Sequence, residues 1–142
     1  MVLTIKEVMD TRFLAVEPSL TALEGAKRMV EGRHGYLLLV RDGRPEGIVT
    51  EWDYIERVVA AERAPGSVTL DSIASRPVTS CDAGTPTSEV IDLMVEKGVR
   101  RIVITQAGQV VGVVGSKDVL RSFRAYVDRI SSDIARLQSS FP

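Results

Sequence analysis

The sequence contains almost none of the residues that bind structural metals, form disulfides or act as covalent nucleophiles. Its 142 residues include one cysteine, Cys81, and one histidine, His34. A single cysteine excludes an internal disulfide framework, and the two residues together are too few for a structural zinc site. Cys81 has no histidine near it in the chain, so we interpret it as a small, half-buried residue. We expect a protein that is not an enzyme and that requires no metal or cofactor.

Strong charge of one sign and long apolar runs are also missing. The chain carries 18 basic and 19 acidic side chains, a formal net charge of −1, which argues against a nucleic-acid or anionic-membrane surface. No apolar run approaches the roughly 18 residues of a membrane span, and the first residues lack a signal-peptide pattern. We therefore expect a cytoplasmic globular protein with no nucleic-acid or membrane partner.

The most informative feature present is an internal repeat. Without gaps, the chain matches itself at an offset of 65 residues, so that Met29-Val30-Glu31 recurs as Met94-Val95-Glu96 and Asp53 recurs as Asp118. Turn-forming residues separate the two copies. The predicted organisation is a first repeat over 1–60, a linker over 61–67, a second repeat over 68–125 and a C-terminal helical extension over 126–142.

Each copy has the same predicted order of elements: a short helix, an extended stretch, an amphipathic helix, two strands around a tight turn, and a final helix. For the first amphipathic helix, Thr21 and Glu24 form a capping-box pattern; for the second, Thr85 is the expected cap and Pro86 the first helical residue. Asp42-Gly43 and Ala107-Gly108 predict the hairpin turns. The predicted apolar stripes are Ala22, Ala26, Met29 and Val30 in the first copy and Val90, Ile91, Met94 and Val95 in the second.

The candidate site lies where the last strand of each copy leads into its final helix. These junctions read Gly47-Ile-Val-Thr50-Glu-Trp-Asp53 and Gly112-Val-Val-Gly115-Ser-Lys117-Asp118. An aspartate at a helix start either caps the helix or accepts hydrogen bonds from the vicinal hydroxyls of a ribose, and both interpretations stay open here.

At these residues the sequence resembles the tandem CBS-domain proteins, whose repeats are of the cystathionine-β-synthase regulatory type. The resemblance covers about residues 3–125, and a Gly-apolar-apolar-Thr/Ser-x-x-Asp motif carries it, satisfied by Gly47, Thr50 and Asp53. It implies an α+β fold of two βαββα repeats related by a pseudo-twofold axis, with the sheets packed together, the helices outside and, here, an added C-terminal helix. It also implies a homodimeric disc of four repeats.

The resemblance further implies clefts that bind AMP, ADP or ATP, in a regulatory or energy-sensing module that acts on an unknown partner protein. Asp53 and Thr50 would hold the ribose, backbone groups around Ile48 and Val49 would face the adenine, and basic residues of the other copy would meet the phosphates; these are Arg100, Arg101 and Lys117. The alternatives are another adenosyl ligand, such as S-adenosylmethionine or NADH, or an interaction adaptor with vestigial clefts.

The second cleft departs from the family pattern. Gly115 replaces the hydroxyl residue, Ser116 is one position late and should point elsewhere, and His34 lies near the position of the arginine. Asp118 keeps a ribose role open. We expect one good site per chain, and one that is poor or empty.

The last helix extends beyond the repeat. Apolar residues recur there at alternating spacings of three and four, which is typical of a coiled-coil seam: Leu120, Phe123, Val127, Ile130, Ile134, Leu137 and Phe141. This face is expected either to fold back across the domain or to pack on another subunit.

Overall fold

The structure is a computed structural model that describes residues 3–140. Residues 1, 2, 141 and 142 lie outside the described residues. They include Phe141 of the predicted seam, the start of the predicted first repeat and the end of the predicted C-terminal extension. The first copy contains α1 (Ile5–Val8), β1 (Ala15–Val16), α2 (Ala22–Gly32), β2 (Tyr36–Arg41), β3 (Arg44–Thr50) and α3 (Glu51–Tyr54), which continues as a π-helical turn over Ile55–Val59. A 3₁₀ turn over Pro65–Ser67 precedes the second copy.

The second copy repeats this order. It contains α4 (Leu70–Ile73), β4 (Ser80–Asp82), α5 (Thr87–Lys97), β5 (Arg101–Gln106), β6 (Gln109–Gly115) and α6 (Ser116–Ser140). Each copy forms a three-stranded sheet in which the short first strand is parallel to the second and the second is antiparallel to the third. The predicted hairpin turns are confirmed, since Asp42, Gly43, Ala107 and Gly108 all have positive φ. The predicted α+β fold is therefore confirmed.

The two sheets pack face to face, with helices on their outer faces. The inner layer contains Leu38 of β2, Val103 of β5 and Val113 of β6, all nearly fully buried. Because side chains alternate across a strand, the other residues of these strands face the helices. Leu37 and Leu39 pack with Met29 of α2, and their counterparts in β5 pack with Met94 of α5.

The first helices of the two copies are exchanged. Ile5 and Val8 of α1 lie in the core of the second sheet, whereas Leu70 and Ile73 of α4 lie in the core of the first. Isolated β-bridges hold both segments in place, and they are equivalent under the 65-residue repeat. Thr4 pairs with Pro86 as Thr69 pairs with Thr21, and Asp10 pairs with Val113 as Ser75 pairs with Ile48. Each globular half is thus completed by a segment from the other copy.

The start of α5 differs from prediction, and the predicted apolar stripes are only partly buried. Helix α5 begins at Thr87, and Thr85 is not its cap, because Pro86 stays extended where it pairs with Thr4. The apolar stripes divide, since Ala22, Met29, Val90 and Met94 are buried whereas Val30 and Val95 are 79% and 78% exposed. Each of these valines lies one residue, or about 100°, past the buried methionine, on a face that the sheet does not cover.

Helix α6 leaves the domain and does not fold back. Its start contacts α1 and β6, but every residue from Val127 to Ser140 is exposed. Of the two alternatives for its apolar face, packing against the chain's own domain is therefore wrong. Within the described residues, no helix is both long enough and apolar enough to cross a membrane.

Candidate functional site

The first cleft lies beside the junction of β3 and α3 and has a volume of about 340 Å³. Both copies line it, with Ile48, Thr50, Trp52 and Asp53 from the first and residues between Ser75 and Val103 from the second. Most of its walls are apolar, and they come from Ile48, Trp52, Pro77, Val78, Val99 and Val103. Trp52 is 64% exposed and lies at the edge of the cleft.

The carboxylate of Asp53 is buried at the base of this cleft and is held by several donors. Its Oδ2 atom accepts hydrogen bonds from the Thr50 backbone N–H at 2.8 Å and the Thr50 hydroxyl at 3.2 Å. Its Oδ1 atom accepts a hydrogen bond from the Ser75 hydroxyl at 2.8 Å and lies 3.9 Å from Arg57 Nε. Asp53 is the third residue of α3, and Thr50 is the N-cap. The two residues form a capping box, in which the Asp53 side chain accepts a hydrogen bond from the Thr50 backbone N–H.

The exchanged segment connects this carboxylate to the second copy. Arg57 donates hydrogen bonds from Nη1 to the carbonyl oxygens of Ile73 and Ala74 at 2.9 and 2.8 Å. Ser75, the next residue, pairs with Ile48 through both backbone groups. The position of Asp53 therefore depends on α3 and on the segment that follows α4.

Two arginines enter the cleft from the start of β5. Arg100 is exposed, whereas the side chain of Arg101 is 22% exposed, with Nη2 3.7 Å from Glu51 Oε1 and the guanidinium carbon 5.3 Å from the centre of the Tyr36 ring. Burial lowers the pKa of Arg101, and the Glu51 carboxylate opposes that shift. Both arginines also line the second cleft, so they lie between the two.

The second cleft, of about 360 Å³, is the counterpart of the first under the 65-residue repeat. It is lined by many charged side chains: Asp10, Arg33, Glu51, Arg100, Arg101, Lys117, Asp118 and Arg121. His34, Tyr36 and Ser116 lie along it too. Burial raises the pKa of Tyr36 above its usual range, and the carboxylates of Asp10 and Asp118 add to the shift.

The carboxylate of Asp118 has fewer partners than that of Asp53. Its Oδ2 atom accepts a hydrogen bond from the Gly115 N–H at 2.8 Å, and Oδ1 lies 3.6 Å from Arg121 Nη1. The side chain of Asp118 is 21% exposed, compared with 3% for Asp53. The position of Ser75 is occupied by Asp10 in the repeat, so a second carboxylate replaces a hydroxyl donor.

The structure brings together five of the predicted site residues and separates three from them. Ile48, Thr50, Asp53, Arg100 and Arg101 share the first cleft, whereas Lys117 and Asp118 line the second and Val49 lies in the core. Lys117 corresponds to Trp52 in the repeat, and the pseudo-twofold places it beside its own aspartate. The expectation that Lys117 reaches the first cleft is therefore corrected.

The predicted adenine contact at Ile48 and Val49 stays a prediction. The backbone N–H and C=O of Ile48 bond to Ser75, and Val49 pairs with Leu37 in the hairpin. The N–H groups are therefore not free to donate to a base, whereas each carbonyl oxygen keeps a second lone pair. We did not predict Ser75 from the sequence, because it lies 22 residues from Asp53 and only the exchange of α4 brings it there. The family motif contains no signal for it.

Cys81 is half-buried, as predicted, and burial raises the pKa of its thiol. Between residues 3 and 140, the structure places no group of three or more histidine, cysteine, aspartate or glutamate side chains where they could hold a metal ion.

Comparison with known proteins gives matches over both copies. The model of the family described as "CBS domain" matches residues 5–60 and 70–125. An uncharacterized protein of Methanopyrus kandleri, MK0525, is 30% identical over 137 residues, which are 95% of this chain and 70% of that protein.

Solved structures show the same architecture. An uncharacterized conserved protein from Pyrococcus horikoshii superposes with a TM-score of 0.80 at 30% identity, covering 87% of this chain and 94% of that one. The CBS domain pair of protein MJ0100, solved in complex with 5′-methylthioadenosine and S-adenosyl-L-methionine, has a TM-score of 0.79 at 23% identity, covering 89% and 99%.

Proposed function

The chain is a tandem CBS-domain protein, and we propose that its first cleft binds an adenosine nucleotide and that the protein regulates a partner according to that occupancy. The observation that carries the proposal is the Asp53 carboxylate, which lies buried in a cleft of nucleoside size and is held by two hydroxyl groups. The adenosyl ligands of the MJ0100 domain pair support the same ligand class.

The ribose is recognised by three side chains acting together. A carboxylate has about four acceptor positions, and three hydrogen bonds to Asp53 are already made within the protein. The hydroxyl oxygens of Thr50 and Ser75 donate to Asp53, which leaves their own lone pairs to accept hydrogen bonds. We therefore assign the two ribose hydroxyls to Thr50, Ser75 and the one remaining lone pair of Asp53.

The base and the phosphates occupy opposite parts of the cleft. A purine is a flat apolar surface, which suits the valine-rich wall formed by Val78, Val99 and Val103. The phosphates lie toward Arg100 and Arg101, whose guanidinium groups form charge-assisted hydrogen bonds with phosphate oxygens. Arg100 is the more available of the two, because Arg101 is already paired with Glu51.

One observation favours a second candidate, an interaction adaptor whose clefts bind nothing. The hydrogen bonds of Asp53 join α3 to the exchanged segment, which is a sufficient structural reason for the motif. In that case the cleft results from packing alone and has no ligand. The exposed Val30 of α2 and Val95 of α5, which are matched in the repeat, then form the surface that binds a partner protein.

Calorimetric titration of the purified protein distinguishes the two candidates. We expect AMP, ADP or ATP to bind with a stoichiometry of one per chain, with adenosine weaker because it lacks the phosphates. Parallel titrations with S-adenosylmethionine and NADH test the alternative adenosyl ligands. If none of these ligands produces heat or raises the unfolding temperature at millimolar concentration, the nucleotide proposal is contradicted and the adaptor interpretation is favoured.

A further inference from the structure

Helix α6 presents an apolar stripe that no other residue between 3 and 140 covers. Within the described part of the helix the stripe consists of six side chains, each 40–68% exposed: Leu120, Phe123, Val127, Ile130, Ile134 and Leu137. Fourteen consecutive exposed residues, from Val127 to Ser140, make a projecting rod of about 21 Å at 1.5 Å per residue. An isolated helix of this kind is marginally stable in water, so the stripe needs a partner.

The shape of the stripe selects another helix as that partner. Two apolar residues in every seven form a narrow seam, which is the pattern of a coiled coil, whereas a helix packed on a globular core has a wider apolar face. The remaining faces carry polar or charged residues, among them Asp128, Ser132 and Arg136. A membrane surface or a broad protein groove would contact more than the seam offers.

We propose that α6 pairs in parallel with α6 of a second copy of this chain. In heptad terms, Leu120, Val127 and Ile134 occupy position a, and Phe123, Ile130 and Leu137 occupy position d. Two of the three a residues are β-branched and the last d residue is leucine, a combination that favours two parallel strands. The pairing is independent of nucleotide binding, so it stands or falls separately from the proposed function.

The charges beside the seam agree with this alignment. Of the six flanking positions in the described helix, the e side carries Arg124, Ser131 and Gln138, and the g side carries Tyr126, Asp133 and Ser140. In a parallel pair the e side of one helix faces the g side of the other. Each g residue meets the e residue five positions further along the partner, so Tyr126 lies opposite Ser131 and Asp133 opposite Gln138, and no like charges oppose each other.

The seam also continues into a second apolar surface at its start. In the first copy, Ala26, Val30 and Ile55 line one shallow groove. Their counterparts in the repeat are Ile91, Val95 and Leu120, which are 37%, 78% and 68% exposed. Leu120 belongs to both surfaces, so the apolar seam is continuous with this exposed face of the second copy.

Sedimentation velocity at micromolar concentration tests the pairing with two matched double variants. Ile130→Asp with Ile134→Asp places two charges in the seam, whereas Ser132→Asp with Ser139→Asp places two charges on the opposite face of the same helix. We expect the native protein and the opposite-face variant to be dimers, and the seam variant to associate roughly 100-fold more weakly, because unpaired charges would be buried. Unchanged nucleotide titration and circular dichroism of the seam variant would show that its domain is folded.

Cysteine crosslinking tests the alignment. In a Cys81→Ser background, Ile134→Cys places a thiol at an a position, which meets its own copy only in a parallel pair. We expect mild oxidation to link this variant into dimers, with Ser132→Cys as the unlinked control. A native monomer, a seam variant that sediments like the native dimer, or crosslinking no greater than in the control would each overturn the proposal. So would seam-dependent binding to anionic vesicles by a chain that stays monomeric.

Discussion

The two clefts are built by one repeated sequence, yet they differ at matched positions that decide what they can bind. Where the first has Thr50, Trp52, Ser75 and Arg101, the second has Gly115, Lys117, Asp10 and Tyr36. The first surrounds a buried carboxylate with hydroxyl donors and apolar walls. The second places two carboxylates together, with several basic residues around them. Duplication thus preserved the frame, while substitutions at a few positions changed its chemistry.

The difference also concerns solvent. The side chain of Asp53 is 3% exposed and accepts hydrogen bonds from the Thr50 and Ser75 hydroxyls, whereas that of Asp118 is 21% exposed and has Gly115 and Asp10 at the matching positions. A hydrogen bond to a buried charge is stronger than one exposed to water. The first cleft is therefore the better place to recognise a neutral sugar by hydrogen bonds.

Replacing each of the two aspartates separately by alanine should give the largest difference in AMP affinity between the clefts. We expect Asp53→Ala to reduce AMP affinity by about 1.5–3 kcal/mol, roughly 10- to 150-fold. It should also lower the unfolding temperature, because Thr50 and Ser75 lose their acceptor. Asp118→Ala, the matched control, should leave AMP binding almost unchanged. Calorimetry and thermal unfolding measure both, and equal affinity in a folded Asp53→Ala variant would contradict the ribose assignment.

Giving the second cleft the two hydroxyl residues of the first should create a second nucleotide-binding site. We expect Gly115→Thr combined with Asp10→Ser to raise the nucleotide stoichiometry from one toward two per chain. A Cβ atom at Gly115 would lie 3.3 Å from Asp118 Oδ2, so a small adjustment of that carboxylate admits the side chain. Titration of the double variant measures the stoichiometry. A value still at one, with the fold intact, would show that Lys117 or Tyr36 also blocks the second cleft.

Removing Arg100, which lines both clefts, and removing Lys117, which lines only the second, should separate the roles of these residues in phosphate binding. Arg100→Ala should weaken AMP and ATP by roughly tenfold, the scale of one hydrogen bond to a charged group, while adenosine binding stays nearly constant. Lys117→Ala should leave all three affinities as they are, because Lys117 lines the other cleft. Similar losses for adenosine and AMP would instead indicate a packing defect at the start of β5.

The smallest effect concerns Tyr36, which lines the second cleft and corresponds to Arg101 in the repeat. Since the pKa of Tyr36 is raised in the folded protein, the folded state keeps this proton above pH 10, where the unfolded state loses it. Its contribution to stability is complete below about pH 10 and decreases as the pH rises further. We expect Tyr36→Phe to show a shallower loss of stability between pH 9 and 11 in urea unfolding. Parallel curves for the two proteins would contradict this.

The sequence by itself determined the repeat, the order of its elements and the family. The 65-residue offset is found by comparing the chain with itself. The glycine turns and the Thr21 capping box depend on residues close in the chain, from which local hydrogen bonding can be predicted. The motif also located Thr50 and Asp53, because both lie at one strand-to-helix junction.

Only the tertiary structure decided which residues meet across the clefts. The exchange of α1 and α4 brings Ser75 to Asp53 and Asp10 to the second cleft, and no local pattern encodes a contact made across the two copies. The same symmetry keeps Lys117 beside Asp118 and away from the first cleft. Periodicity likewise placed Val30 and Val95 in the apolar stripes, but it did not show which side of each helix the sheet covers. That side depends on the angle at which helix and sheet pack.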